Sequence, residues 1–161
     1  MNKELALPEL LERLTGLRRQ GKRIVFTNGC YDLLHPGHVH FLSQARQLGD
    51  ALVVGVNSDR SVREIKGPAR PILTQEERCQ ILSGLASVDF VVIFDEPTPL
   101  DLISALRPDV LVKGGDWGLH EIVGREQVEA GGGRVVTLPF LPGFSTSAIV
   151  QRVLDRYRDN A

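Results

Sequence analysis

Five short apolar runs, each rich in β-branched residues, punctuate the chain: Ile24-Val25-Phe26, Leu52-Val53-Val54-Gly55-Val56, Phe90-Val91-Val92-Ile93-Phe94, Val110-Leu111-Val112 and Val135-Val136-Thr137-Leu138. Runs of this length predict strands. They are continuously apolar and do not alternate with polar residues, so both faces of the sheet they build must be covered. Helix-like segments fill the intervals at 37–48, 74–86, 99–106, 121–129 and 146–158. Strand and helix therefore alternate, which predicts an α/β fold with a doubly wound, five-stranded parallel sheet and right-handed crossovers. Thr74 and Glu77 have the spacing of a capping box, Pro36 suits a first helical turn, and Pro108 ends the helix before it. The longest irregular connection, 58–73, carries Lys66, Gly67 and Arg70, and long loops in compact domains tend to be functional or mobile.

Residues 5–19 have the pattern of an amphipathic helix in front of the first strand. The expected organisation is an N-terminal helical extension, 1–20, followed by one domain, 21–161, a length that supports a single ordinary core. The 19 basic and 20 acidic side chains give a net charge of −1, so no global positive field attracts nucleic acid or an anionic membrane. Any phosphate site must be local. Cys30 and Cys79 have neither disulfide-framework nor zinc-ligand spacing, which suits a reducing cytoplasm. The N-terminus reads as a charged helix and not as a leader, and no run is long enough to span a membrane.

The turn after the first strand, TNGCYDLLHPGH at 27–38, concentrates the chemistry. In a doubly wound sheet this turn is the usual phosphate site. His35 and His38 stand three residues apart on an opening helix, beside backbone N–H groups that lack intrahelical partners and attract anions. Gly37 keeps the space between them open, and Gly29 permits close backbone approach. A histidine-bound metal built from Asp32, His35, His38 and His40 is the weaker reading, because His40 belongs to another helix face and Asp32 precedes the helix. A dinucleotide-dependent oxidoreductase is disfavoured. No GxGxxG follows the first strand, and Gly131-Gly132-Gly133 precedes a strand.

Residues 29–38 resemble the GxFDxxHxGH signature of the cytidylyltransferase-like nucleotidyltransferases, a Rossmann-like fold of the HxGH type. Val56-Asn57-Ser58-Asp59, Lys113-Gly114-Gly115-Asp116-Trp117 and Ser145-Thr146-Ser147 resemble the rest of the family's site in the same order. Within the family, TNGCYDLLHPGH, Lys66-Gly67-Pro68-Ala69-Arg70-Pro71-Ile72 and PDVLVKGGDW are most similar to the adenylyltransferase branch that makes ADP-heptose from heptose 1-phosphate. The similarity runs from about Gly21 to Leu154. The glycerol-phosphate cytidylyltransferase branch carries an arginine before its Ser-Thr pair, whereas Phe140-Leu141-Pro142-Gly143-Phe144 has none.

This resemblance implies AMP transfer from ATP to D-glycero-β-D-manno-heptose 1-phosphate, with His35, His38 and Lys66 as catalytic residues. It implies nucleotide contacts from Thr27, Asn28, Gly29, Cys30, Tyr31, Asp32, Gly37, Asn57, Asp59, Lys113, Gly115, Asp116, Ser145, Thr146 and Ser147. Magnesium accompanies ATP without a dedicated protein cage, a homodimer is expected, and a separate heptose kinase acts upstream. The alternatives are a cytidylyltransferase for glycerol 3-phosphate or another alcohol phosphate, and a non-catalytic nucleotide-binding domain. Asp32 and Asp116 are candidates for ribose contact or magnesium orientation, and Trp117 for the pocket wall. Ser145, Thr146 and Ser147 suit helix capping and phosphate binding equally, while Arg78, with Gln75, Glu76 and Glu77, reads as a solvated helix start.

Overall fold

In the computed structural model, which describes residues 3–115, 118 and 121–158, all five expected strands form: β1 (Ile24–Gly29), β2 (Ala51–Asn57), β3 (Phe90–Phe94), β4 (Val110–Gly114) and β5 (Arg134–Leu138). They pair in parallel in the order β3-β2-β1-β4-β5. The helices are α1 (Leu7–Arg19), α2 (Pro36–Arg46), α3 (Asp59–Lys66), α4 (Gln75–Ser83), α5 (Leu100–Leu106), α6 (Arg125–Ala130) and α7 (Thr146–Arg158). The chain winds outward from β1 through β2 to β3, then returns to β4 on the other side of β1. Its direction therefore reverses between β1 and β4, where such sheets open a crevice at their carboxyl ends.

Successive strand residues feed opposite faces. Ile24 and Phe26 pack with Leu10 and Leu14 of α1 and Leu106 of α5, while Val25 packs with Leu42 and Ala45 of α2 and Leu82 of α4. With both faces covered, the middle of each strand favours apolar residues, which accounts for the unbroken apolar runs. The α1 helix is integrated into this core, since Leu10 and Leu14 are fully buried. The residues before it strap the edge of β3, where Val91 N donates to Lys3 O at 2.8 Å and Leu5 N to Val91 O at 3.0 Å.

At the amino ends of the strands, aspartates in the preceding turns seal orphan backbone donors. Asp50 accepts from Arg23 N at 2.8 Å, Asp89 from Leu52 N at 2.8 Å and Asp109 from Ile24 N at 2.7 Å. One end of the sheet is thus closed by short polar ties, and the other is left for a ligand. The expected capping box is present: Glu77 N donates to Thr74 Oγ1 at 3.3 Å and Thr74 N to Glu77 Oε2 at 2.8 Å.

The connection expected to be irregular over 58–73 is not so: its first half is α3. Ser58 caps this helix, accepting from Ser61 N at 3.1 Å, and Val62 turns into the core. The segment DRSVREIK is so heavily charged that its two apolar residues, Val62 and Ile65, give a weak periodic signal. Lys66 consequently ends a helix and does not ride on a free loop. Helix α6 starts later than the expected 121, at Arg125, behind Gly124 with φ +86°. A Cβ at Gly124 would lie 2.5 Å from Ile103.

Because α1 shares the core, Leu14→Ala is expected to cost about 2–5 kcal/mol of global stability, as buried leucine truncations do. Chemical denaturation checks this, with a single unfolding transition retained.

Candidate active site

A cleft of about 800 Å³ opens at the carboxyl ends of β1 and β4. Of the residues expected at the site, Thr27, Asn28, Gly29, Cys30, Tyr31, Asp32, His35, Gly37, His38, Lys66, Lys113, Ser145, Thr146 and Ser147 line it. Asn57, Asp59 and Gly115 lie outside the lining. Asn57 Nδ2 donates to Ser61 Oγ at 3.0 Å and the Asp59 carboxylate pairs with Arg78, so both shape the start of α3. Asp116 and Trp117 fall outside the described residues.

The two histidines are held by the start of α2. His35 is its N-cap in extended conformation, and its carbonyl accepts from His38 N at 2.9 Å. One turn brings the rings into a stack, with centroids 3.7 Å apart and planes at 21°. Gly37 leaves little spare room: a Cβ there would sit 3.0 Å from the His35 ring and 3.2 Å from Phe144 Cβ, so its neighbours would have to give. Tyr31, buried and at φ +48°, leans its ring on His38 at 5.3 Å. A left-handed conformation is uncommon for a bulky residue and marks a constrained position.

Burial, reinforced by His35, lowers His38 to about 4, and burial lowers His35 as well. Both imidazoles are neutral at pH 7, when each carries one N–H donor. Their buried Nδ1 atoms have no hydrogen-bond partner among the described residues. Buried polar atoms are nearly always satisfied, so two orphans in one cleft mark it as functional.

Three cationic groups share the cleft with the pair. Lys113, at the end of β4, donates to Asn28 Oδ1 and makes no salt bridge among the described residues. Burial lowers it to about 8. Lys66 is exposed at the C-terminus of α3. Arg70 lines the cleft and pairs with Asp32 at 2.7 Å. The other Asp32 oxygen accepts from Ile72 N at 2.8 Å and Leu73 N at 2.9 Å, so this carboxylate fastens the 67–74 loop to the β1–α2 turn.

At the head of α7, Ser145 Oγ accepts from Ala148 N at 3.0 Å as a cap, and Thr146 Oγ1 donates to Leu33 O at 3.3 Å. Cys30 is half-buried with its thiol pushed up by burial, and buried Cys79 is pushed up to about 12. Both are poor nucleophiles. Among the described residues, no group of three or more His, Cys, Asp or Glu gathers to hold a metal ion, and no helix is long and apolar enough to cross a membrane.

Three features escaped sequence reasoning. Arg78 is no solvated helix start: it is fully buried and donates to Leu73 O, Cys30 O and Asp59 Oδ1. Phe144 lies nearly parallel to His35, centroids 6.3 Å apart. Phe140 covers Gly114 and Gly115, where a Cβ would approach its ring to 2.6 and 2.8 Å. The Gly-Gly pair after β4 was the available signal for a ring packed on bare backbone.

The lowered His38 has a consequence for stability. The unfolded chain takes up its proton near the ordinary value of 6.5, before the folded protein does at about 4. Stability contributed by neutral His38 is therefore full above pH 6.5 and lost as pH falls towards 4. Thermal melts across that window are expected to show a smaller acid-induced drop for His38→Gln than for the parent.

The profile of the family described as cytidylyltransferase-like matches residues 26–152. The chain is 56% identical over 140 residues to the bifunctional protein HldE of Syntrophotalea carbinolica, covering 87% of this chain and 29% of that one. It is 57% identical to HldE of Geobacter sulfurreducens over the same shares of the two chains. It thus spans under a third of the length of these relatives. Among solved structures, the lipopolysaccharide core biosynthesis protein of Thermoplasma volcanium GSS1 superposes with a TM-score of 0.62 at 28% identity, over 75% of this chain and 98% of that one. Pantothenate synthetase of Thermus thermophilus shares the fold alone, with a TM-score of 0.60 at 17% identity over 86% and 62% of the two chains. The signature turn falls within the matched segment, which spans most of the molecule, and the chain belongs to the cytidylyltransferase-like family.

Proposed function

We propose that this chain transfers AMP from ATP to D-glycero-β-D-manno-heptose 1-phosphate, giving ADP-heptose and pyrophosphate. The observation that carries this reading is the stacked, neutral histidine pair at the start of α2, in one cleft with Lys66, Arg70 and Lys113. The choice of substrate rests on the motif resemblance to the heptose branch and on the identity to the HldE proteins.

A phosphate oxygen of the sugar attacks the α-phosphorus of ATP. A new P–O bond forms as the α–β bridge bond breaks, and its electron pair leaves on pyrophosphate. The nucleophile is already an anion, so positioning and charge stabilisation carry the catalysis. His35 and His38 donate N–H groups to the phosphate oxygens as charge grows at the bridge. Lys66 and Lys113 supply point charges along the triphosphate, and the α7 head at Ser145, Thr146 and Ser147 offers backbone donors at a helix start.

Thr27, Asn28, Gly29, Cys30 and Tyr31 form the floor beneath the nucleotide, with Gly37 leaving room beside the rings. Asn57, Asp59 and Gly115 act from behind that floor, and Asp32 acts through the loop it fastens. Asp116 is assigned to the ribose or to orienting the magnesium that accompanies ATP. Magnesium would enter with ATP as part of the substrate and would neutralise phosphate charge, without a dedicated cage of protein ligands. A heptose kinase supplies the sugar phosphate. The setting is the cytoplasm, the assembly is a homodimer, and residues 21–161 are the catalytic domain, with 1–20 as a helical extension.

Pyrophosphate release is to be measured with ATP or CTP against heptose 1-phosphate, hexose 1-phosphates, glycerol 3-phosphate, phosphocholine and phosphoethanolamine. ATP with heptose 1-phosphate is expected to exceed every other pair by roughly 10²-fold or more, the discrimination available when a pocket's polar groups go unpaired. Preference for CTP with an alcohol phosphate overturns the substrate assignment. His38→Ala is expected to fold and lose about 10²–10³-fold in kcat, the typical cost of one preorganised donor. An unchanged kcat removes the histidine from the mechanism.

A further inference from the structure

Arg78 heads the largest side chains that have no solvent exposure among the described residues. A buried guanidinium is tolerated only where its donors are met. Here Nε donates to Leu73 O at 3.2 Å, Nη1 to Cys30 O at 2.6 Å and Nη2 to Asp59 Oδ1 at 2.8 Å. The neighbouring Cys79 and Leu82 pack in the core as apolar residues, and an apolar residue at 78 would fill the space without demanding partners. The three bonds instead join three segments that border the cleft.

Cys30 lies in the turn that leads to the histidines. Asp59 is the first residue of α3, whose last residue is Lys66. Leu73 closes the loop that carries Arg70, and it is held from both sides: its N–H donates to Asp32 and its carbonyl accepts from Arg78. Arg78 itself does not line the cleft.

Resting on the proposed AMP transfer, we infer that Arg78 is a positioning residue that sets the spacing between the histidine pair and the cations of α3 and the 67–74 loop. A helix of eight residues is about 12 Å long, so a tilt at Asp59 is carried to Lys66 at its far end. Lysine cannot reproduce the planar fork that serves three acceptors at once. Arg78→Lys therefore lets the two walls shift while keeping a buried cation opposite Asp59.

The test combines kinetics, a double-mutant cycle and a spectroscopic readout. Arg78→Lys is expected to fold, to keep KM for ATP within about 3-fold, and to lose roughly 10–10²-fold in kcat, the scale of a misplacement of about 1 Å. In a Lys66→Ala, Arg70→Ala background the same substitution is expected to cost no more than about 2-fold, because the cleft cations it positions are gone. An undiminished kcat in folded Arg78→Lys, or losses that multiply independently, overturns the inference. If Arg78→Lys does not fold, Asp59→Asn, which leaves both carbonyl bonds of Arg78 in place, carries the same cycle. If the parent releases no pyrophosphate with any substrate pair, the proposed function fails, and NMR of the backbone amides judges the inference alone. Shifts in the variant at both the 30–38 turn and the Lys66 end of α3 support it, and shifts confined to the immediate neighbours of Arg78 refute it.

Discussion

The site depends on a strand with no freedom at its end. β1 is hydrogen-bonded to β2 from Ile24 to Gly29 on one side and to β4 at Val25 and Phe26 on the other. Its exit is therefore fixed before the turn begins. Asp32 and Arg78 then pin the turn to the 67–74 loop and to α3. Pro36 and Gly37 start α2 at once, and the two imidazoles stack across its first turn. Preorganisation of this kind acts where charge develops and requires no rearrangement at the moment of reaction.

Local preference is violated where the chemistry is concentrated. Tyr31 adopts φ +48°, two buried imidazole nitrogens lack partners, and Lys113 is desolvated without a counterion among the described residues. Each destabilises the ligand-free fold, and two covered sheet faces with fully buried leucines and valines offset the cost. Exceptions to local rules collect at functional sites. A phosphate ligand answers the second and third of these together, because it accepts from imidazole and pairs with ammonium.

Strand positions were legible because a parallel sheet buried on both faces leaves continuous apolar runs, and the histidine turn was legible because its residues are contiguous. Helix α3 was hidden by its charged sequence, and with it the true setting of Lys66. The resemblance implied nucleotide contacts for Asn57, which ends β2, and for Asp59, but their side chains bond Ser61 and Arg78. Arg78 could not be read at all. Its burial depends on acceptors 19 and 48 positions away, which no local pattern encodes. Phe140 and Phe144 sit in a stretch without periodicity, and their place against Gly114, Gly115 and His35 follows only from the assembled fold.

The central claim is that the cleft holds desolvated donors that await phosphate charge, and Lys113 reports on it most directly. Held at about 8 by burial, it is about half protonated at pH 8, and a bound triphosphate must raise it. Calorimetric titration of a non-hydrolysable ATP analogue with magnesium at pH 8, repeated in buffers of different ionisation enthalpy, measures the protons taken up on binding. The account predicts an uptake of up to about half a proton by the parent, absent from Lys113→Met. Equal proton uptake by the two proteins, or none by the parent, would contradict it.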